Sequence, residues 1–223
     1  MNRTIRVTGK GSLSVKPDMI RLELDAKETL PEYADAYRRF TEDTDAIRKA
    51  VKTAGFDPQE LKTTDFRIRE DKKGYHDGNG NYKYRFLGYQ YVHSMYIRFD
   101  NDPVLLNRIL RSLTSCGVKI EFRINYIVKD AEAVKNELIA KAVADSEIKA
   151  KLLTRAAGVT LGDVLDIDYS WGQIRLTSST TVREESDDLK SIFHIPSEKE
   201  RSLDINADDL KVEDTVTVVW EIR

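Results

Sequence analysis

The sequence predicts an α+β protein of two subdomains, one of them a ferredoxin-like βαββαβ unit. Three observations carry that prediction: strict apolar alternation over residues 5–26, a strand-helix-strand-strand-helix-strand order from residue 18 to 128, and a long Ala/Lys/Glu-rich helix followed by valine-rich strands. The ferredoxin-like unit is assigned to residues 18–128. Residues 1–17 and 129–223 form the second subdomain.

The first strand buries Ile5, Val7, Gly9, Gly11, Leu13 and Val15, and the second buries Ile20, Leu22, Leu24 and Ala26. A turn at Lys16-Pro17-Asp18 joins them, and the intervening positions are polar. Gly9 and Gly11 lie on the apolar face, where a strand normally carries bulk, so another element is expected to approach that backbone closely. Thr29 is the expected N-cap of the first helix, with Pro31 in its first turn. Tyr33, Tyr37, Phe40, Thr44, Ile47, Val51 and Ala54 form its apolar stripe, and Gly55 stops it.

Leu61 to Arg69 reads as a third strand. Residues 70–81 are polar and glycine-rich, as in a hairpin loop, and Tyr84 to Phe99 reads as a fourth strand with apolar or aromatic residues on both faces. Asp102-Pro103 opens a second helix carrying Leu106, Ile109, Leu110 and Leu113, stopped at Gly117. Lys119 to Val128 is a fifth strand. Asp130 to Ala157 is a long helix with Ile139, Val143, Ser146, Ala150, Leu153 and Ala157 along one side. Val164 to Trp171 and Glu213 to Ile222 read as strands, the latter with Val216, Val218, Trp220 and Ile222 on one face. Residues 177–204 are mostly polar and are expected to be mobile, with Ile192 and Phe193 in their one apolar island.

With 223 residues, 40% of them hydrophobic, the chain can bury a full core. Its 36 basic and 38 acidic residues nearly cancel, which gives no global drive toward nucleic acid or anionic lipid. No apolar run is long enough to cross a membrane. The N-terminus enters the first strand without the apolar stretch of a secretory signal. A cytoplasmic location follows, or a periplasmic one if a leader was removed. The single cysteine, Cys116, excludes an internal disulfide.

Val7-Thr8-Gly9-Lys10-Gly11, the turn Val15-Lys16-Pro17-Asp18, the helix ending at Gly55 and the closing run Val216 to Ile222 with Trp220 together resemble the SIMPL domain family. That family includes bacterial periplasmic immunogenic proteins and a stress-defence protein. The resemblance spans Ile5 to Ile222 and rests on structural motifs, namely Gly9, Gly11, Pro17, Asp18 and Trp220, so it transfers no catalytic residue. It implies a two-subdomain α/β fold, homo-oligomers that can be rings, and a role at the envelope or in stress tolerance.

Candidate chemistry is sparse. Gly9-Lys10-Gly11-Ser12 lacks the spacing and the following helix of a phosphate loop. Asp77, Asn79 and Asn81 have the ligand spacing of a calcium loop, but the glycine and glutamate such a loop needs further on are missing, and a hairpin turn accounts for them. His76, His93 and His194 show no metal-ligand spacing, and His93 reads as a packed residue. Cys116 falls at a helix C-terminus, where the dipole disfavours a thiolate. Asp163, Asp166 and Asp168 read as a solvated edge. No catalytic residue, cofactor or metal is therefore expected.

Six of the ten tyrosines lie between Tyr75 and Tyr96, interleaved with Lys72, Lys73, Lys83 and Arg85. RNA-recognition domains place stacking aromatics on the central strands of this strand order, but here Arg21 and Glu23 occupy the companion positions. A face buried between subunits accounts for the tyrosines equally well. The expected function is therefore non-enzymatic self-assembly, as a dimer or ring, and partner binding. Tyr84, Phe86, Tyr89, Tyr91, Tyr96, Ile192 and Phe193 are the candidate interface. A single-stranded nucleic-acid or small-ligand binder using the same tyrosines is the alternative.

Overall fold

The computed structural model describes residues 3–169, 177–182 and 208–223. In chain order the elements are β1 (Thr4–Val15), β2 (Met19–Leu30), α1 (Tyr33–Thr53), a 3-10 turn (Pro58–Glu60), β3 (Lys62–His76), β4 (Tyr82–Asp100), α2 (Pro103–Thr114), β5 (Ile120–Ile127), α3 (Ala131–Ala156), β6 (Leu161–Asp168), β7 (Thr177–Val182) and β8 (Leu210–Ile222). They form an α+β fold with two sheets, ordered β1-β8-β6 and β3-β4-β2-β5-β7. The chain divides into two compact units. One takes in Met1–Asp18, Ile127–Ser178 and Ala207–Arg223, the other Met19–Tyr126 and Ser179–Asn206.

In the first unit, β1 pairs antiparallel with β8 along its whole length, from Thr4 opposite Glu221 to Val15 opposite Leu210. Alternation puts Val7 from β1 and Val216, Val218 and Trp220 from β8 into one cluster with Ala142 and Ala150 of α3. The Trp220 indole N–H finds no acceptor among the described residues, so Trp220 contributes through packing. Asp18 accepts a hydrogen bond from the Lys129 amide at 2.7 Å, and Pro17 beside it is buried.

α3 lies directly on the β1 backbone. A Cβ built on Gly9 would sit 1.9 Å from the Ala142 carbonyl oxygen, and one on Gly11 would sit 2.1 Å from that of Leu138. Real Cβ atoms never come so close, so only glycine permits this approach. At the same contact Asp145 accepts from the Lys10 amide at 2.7 Å, while the Lys149 ammonium donates to the Thr8 carbonyl at 3.3 Å. Side chains of α3 thereby satisfy edge groups of β1 that no strand pairs. The Lys149 ammonium, and then the Lys10 amide, hold the Asp145 carboxyl below its ordinary pKa.

The close approach corrects the expected face of α3. Leu138, Ala142, Ser146, Ala150 and Thr154, spaced four apart, are buried, whereas Leu153 is half exposed. Where a helix presses on glycines, small side chains must face the strand. The stripe chosen by hydrophobicity alone is therefore rotated.

In the second unit, β2 and β3, joined through α1, are separated by β4, and α2 carries the chain from β4 across to β5 on the far side of β2. The buried residues of α2 are those expected, Leu106, Ile109, Leu110 and Leu113, and Asp102 caps it by accepting from the Val104 amide at 2.7 Å. Three expectations fail. Thr29 is no N-cap, because β2 continues to Leu30 opposite Tyr89 and the Thr29 hydroxyl bonds Asp71 instead; Glu32 stands at the helix start. The α1 stripe fails in its first turns, where Tyr33 and Tyr37 are more than half exposed and Ala36 and Asp43 are buried instead, while Ile47, Val51 and Ala54 are buried as expected. The small Ala36 and the hydrogen-bonded Asp43 let the helix sit where Tyr91 of β4 reaches it.

The third failure concerns the sheet to which residues 177–182 belong, expected to be part of the other subdomain. They form β7, at the edge of the five-stranded sheet beside β5. The run Thr-Ser-Ser-Thr-Thr-Val has β-branched residues enough to pair with an open edge despite its polarity. The rest of the expected mobile segment lies outside the described residues.

Gly11→Val is expected to cost about 1–3 kcal/mol or more, because the carbonyl it meets belongs to the helix backbone. Ser12→Ala, exposed on the other face, should stay within about 0.5 kcal/mol. Urea melts of both variants check this, and equal losses would contradict the placement of α3.

Candidate functional site

The predicted loop at residues 70–81 contracts to a tight turn, because the β3–β4 ladder runs on to His76 opposite Tyr82. Asp77 organises that turn, its Oδ1 accepting from the amides of Asn79 and Asn81, both at 3.0 Å. Its Oδ2 lies 2.7 Å from the Lys83 ammonium, which, followed by the Asn81 amide, holds the carboxyl below its ordinary pKa. The residues with calcium-loop spacing thus serve a hairpin, with a lysine at the carboxylate.

The ladder between β2 and β4 ends at Leu30 opposite Tyr89. Among the described residues, 82–88 pair only with β3, leaving a two-stranded ribbon roughly 20 Å long beyond the point where β2 stops pairing with β4. At its base the register slips between Asp71 and Lys72, so that Leu87 has no partner. Gly88 makes this bulge possible: its φ is +143°, and a Cβ there would lie 2.3 Å from the Leu30 carbonyl oxygen.

The bulge reverses the alternation of β4. Phe86 comes round to the side of Tyr89, their rings 5.4 Å apart and edge-on, and Tyr89 meets Tyr33 of α1 at 5.7 Å. Further out, Tyr84 touches Tyr82 at 5.2 Å, Tyr82 touches His76 at 5.2 Å, and the Tyr82 ring also covers Gly74. Tyr84 is 66% exposed and Phe86 48%. Tyr33 and Tyr82 are exposed as well, and alternation puts Tyr82, Tyr84 and Phe86 on one face of the ribbon, a run of apolar rings of the kind that marks an interaction surface; Tyr75, opposite Lys83, is exposed on the other face.

Two candidate residues fall elsewhere. Tyr91 is 1% exposed and donates its hydroxyl to the Asp43 carboxylate. Arg39 lies 3.2 Å from Asp43 and 2.8 Å from Glu28, completing a chain of four polar groups under α1. Burial pushes the Asp43 carboxyl above its ordinary pKa, and the Tyr91 phenol upward as well. Tyr91 is thus a core residue of the network that seats α1 on β4. Tyr96 lies on the opposite face, with the Arg21 guanidinium 4.0 Å above its ring and Arg98 at 5.1 Å. Glu23 there accepts from Arg21 at 3.0 Å and from Arg123 at 3.4 Å. Ile192 and Phe193 lie outside the described residues.

The face on which an RNA-recognition sheet stacks bases therefore carries Tyr96 already covered by arginine, with carboxylates beside it. The other tyrosines line the ribbon or the core. Sequence reasoning missed Tyr33 and Tyr82 as members of the patch. The available signal was Gly88 inside a strand, which marks a bulge and hence a change of face.

His93 is buried, its Nε2 2.9 Å from the Thr63 hydroxyl and its Nδ1 3.2 Å from that of Thr44, with Phe40 edge-on at 5.1 Å. Both ring nitrogens are engaged, and burial, then the nearby Arg48 charge, lowers its pKa. Cys116 is half-buried at the end of α2, and burial raises its thiol pKa. Asp163, Asp166 and Asp168 are exposed. Among the described residues no three His, Cys, Asp or Glu side chains converge as metal ligands, and no helix is long and apolar enough to cross a membrane.

Residues 5–220 match the family model SIMPL, described as a protein of unknown function (DUF541). The 26 kDa periplasmic immunogenic proteins of Brucella melitensis and Brucella abortus are each 30% identical to the chain over 163 residues. The match covers 73% of this chain and 65% of each relative's length.

Tyr91→Phe is expected to destabilise the fold by about 1–3 kcal/mol, since it strips the donor from a buried carboxylate. Denaturant melts would show it, and an unchanged midpoint would return Tyr91 to the surface. For His93, the folded pKa lies below the unfolded value of about 6.5, so the unfolded chain binds more protons in that window. The contribution is fully present above pH 6.5 and is lost as pH falls from there toward the folded pKa. Melting temperature should drop between pH 7.5 and 5, and the drop should shrink in His93→Gln.

Proposed function

The chain belongs to the SIMPL family, and from that premise we propose that it acts without catalysis, as a self-assembling protein whose subunits bind through the aromatic ribbon. The observation that carries this reading is the ribbon itself. Two-stranded hairpins are marginally stable alone in water, and this one exposes a run of aromatic rings. A second copy of the same chain covers such a surface most economically, by closed symmetry.

The chemistry of the ribbon favours its rings over its edge. β3 is the outer strand of its sheet and carries Asp65, Arg67, Arg69, Lys72 and Lys73, charges that discourage edge-to-edge pairing. Lys72 is paired with Glu70 at 2.5 Å and Lys83 with Asp77 at 2.7 Å, so part of the positive charge a polyanion would seek is already compensated. The Brucella relatives are described as periplasmic, which supports an exported location for this chain in place of the cytoplasmic one. A contribution to stress tolerance would follow from the assembly at the envelope.

Light scattering coupled to size exclusion should report a mass at least twice that of the chain. The double variant Tyr84→Ser, Phe86→Ser should shift it to monomer with unchanged circular dichroism, each ring contributing about 2 kcal/mol to association. A monomeric wild-type protein at micromolar concentration would remove the assembly reading. Salt-sensitive retention on single-stranded DNA would replace it with nucleic-acid binding.

A further inference from the structure

We propose that the groove between α1 and α2 binds a single-chain fatty acid, with its carboxylate held by Lys49, Arg108 and Arg111. The groove is open to solvent along one side and has a volume of about 760 Å³, within the usual range for small-molecule sites. Ala46, Ala54 and Val104 supply apolar lining, and Val104 is 69% exposed without a partner side chain to cover it.

Neutral hydroxyl and amide groups of the lining are spent on backbone carbonyls, three within a helix and one, from Ser112, across from α2 to α1. Thr53 donates to the Lys49 carbonyl at 2.9 Å, Asn107 to that of Pro103 at 2.9 Å, Ser112 to that of Ala50 at 2.7 Å and Ser115 to that of Arg111 at 2.9 Å. A sugar or a nucleoside, which needs neutral donors and acceptors around it, finds few here. The charges are different. Among the described residues Lys49, Arg108 and Arg111 enter no ion pair, and no Asp or Glu lines the groove. On the earlier turns of α1, by contrast, Arg38 is paired with Asp35 at 2.6 Å and Arg39 with Glu28 at 2.8 Å. Three cations over an apolar, donor-poor floor select a ligand with an anionic head and a hydrocarbon tail, and the guanidinium forks suit a carboxylate.

Arg111 lies in the last turn of α2, and the Arg108 guanidinium lies beside Gly55, just past the end of α1. Both would also offset the helix dipoles, a role that predicts a change in stability and none in ligand affinity.

The test is isothermal titration of the whole chain with laurate below its micelle-forming concentration. The expected result is one saturable site per chain, weakened about tenfold or more in Arg108→Ala, Arg111→Ala and lost in Val104→Glu, whose exposed position tolerates the new charge. Octyl glucoside should not compete. Absent or non-saturable binding, undiminished binding in both variants, equal competition by the neutral detergent, or binding only to anionic vesicles would each overturn the proposal.

Discussion

The first unit depends on one steric fact: the backbone of α3 rests against the backbone of β1 at Gly9 and Gly11. Neither position has room for a single carbon atom before the carbonyls of Ala142 and Leu138. From that contact follow the small-residue face of α3, the bonding of Asp145 and Lys149 to strand groups at the sheet edge, and the burial of Val7 with Val216, Val218 and Trp220 under the helix. The polar groups are arranged so that the closeness costs no unsatisfied backbone, since the Lys10 amide and the Thr8 carbonyl both find side chains.

The second unit is held differently, by a polar chain under α1 that is buried at Asp43 and Tyr91 and half-buried at Arg39 and Glu28. Glu28, Arg39, Asp43 and Tyr91 link β2, α1 and β4, and His93 ties β4 to Thr44 of α1 and Thr63 of β3. Such networks specify one arrangement because a shift of any member strands the others in a low-dielectric setting. Here they fix where α1 sits on β4. Beyond the N-terminal end of the helix no described element covers β4, and the bulge at Gly88 turns its aromatic residues outward along that length. The exposed ribbon is thus a consequence of how the core is locked.

On the proposed reading, function in this chain is a matter of surfaces. The conspicuous titratable groups are engaged in structure: Asp77 in the hairpin turn, Asp145 at β1, Asp43 with Tyr91, His93 between two threonines. Outward-facing among the described residues are the aromatic ribbon of β3 and β4, the cationic groove of α1 and α2, and apolar side chains of α3 and β6 such as Ile148, Leu152 and Ile167; of these the first two are proposed to bind a partner. A family described as of unknown function is consistent with a protein whose motifs, Gly9, Gly11, Pro17, Asp18 and Trp220, all serve folding.

The sequence by itself determined the α+β class, the strands β1, β2, β5 and β8, the whole of α2 with its cap, and the close approach at Gly9 and Gly11. Those features rest on local rules, such as period-two alternation, Asp-Pro starts and glycine in a buried strand, that neighbours in the chain satisfy by themselves. Tertiary structure decided the rest. Which side of α3 is buried depends on the glycines it meets across the sheet, and which side of α1 is buried depends on Tyr91 reaching Asp43. Whether Thr29 ends a strand or caps a helix depends on Asp71 opposite. Tyr84, Phe86 and Tyr89 could be suspected from composition, but their union with Tyr33 and Tyr82, and the removal of Tyr91 and Tyr96 from the same surface, follow from a bulge and a helix end. Both are set by pairing between residues far apart in sequence, which no local pattern encodes.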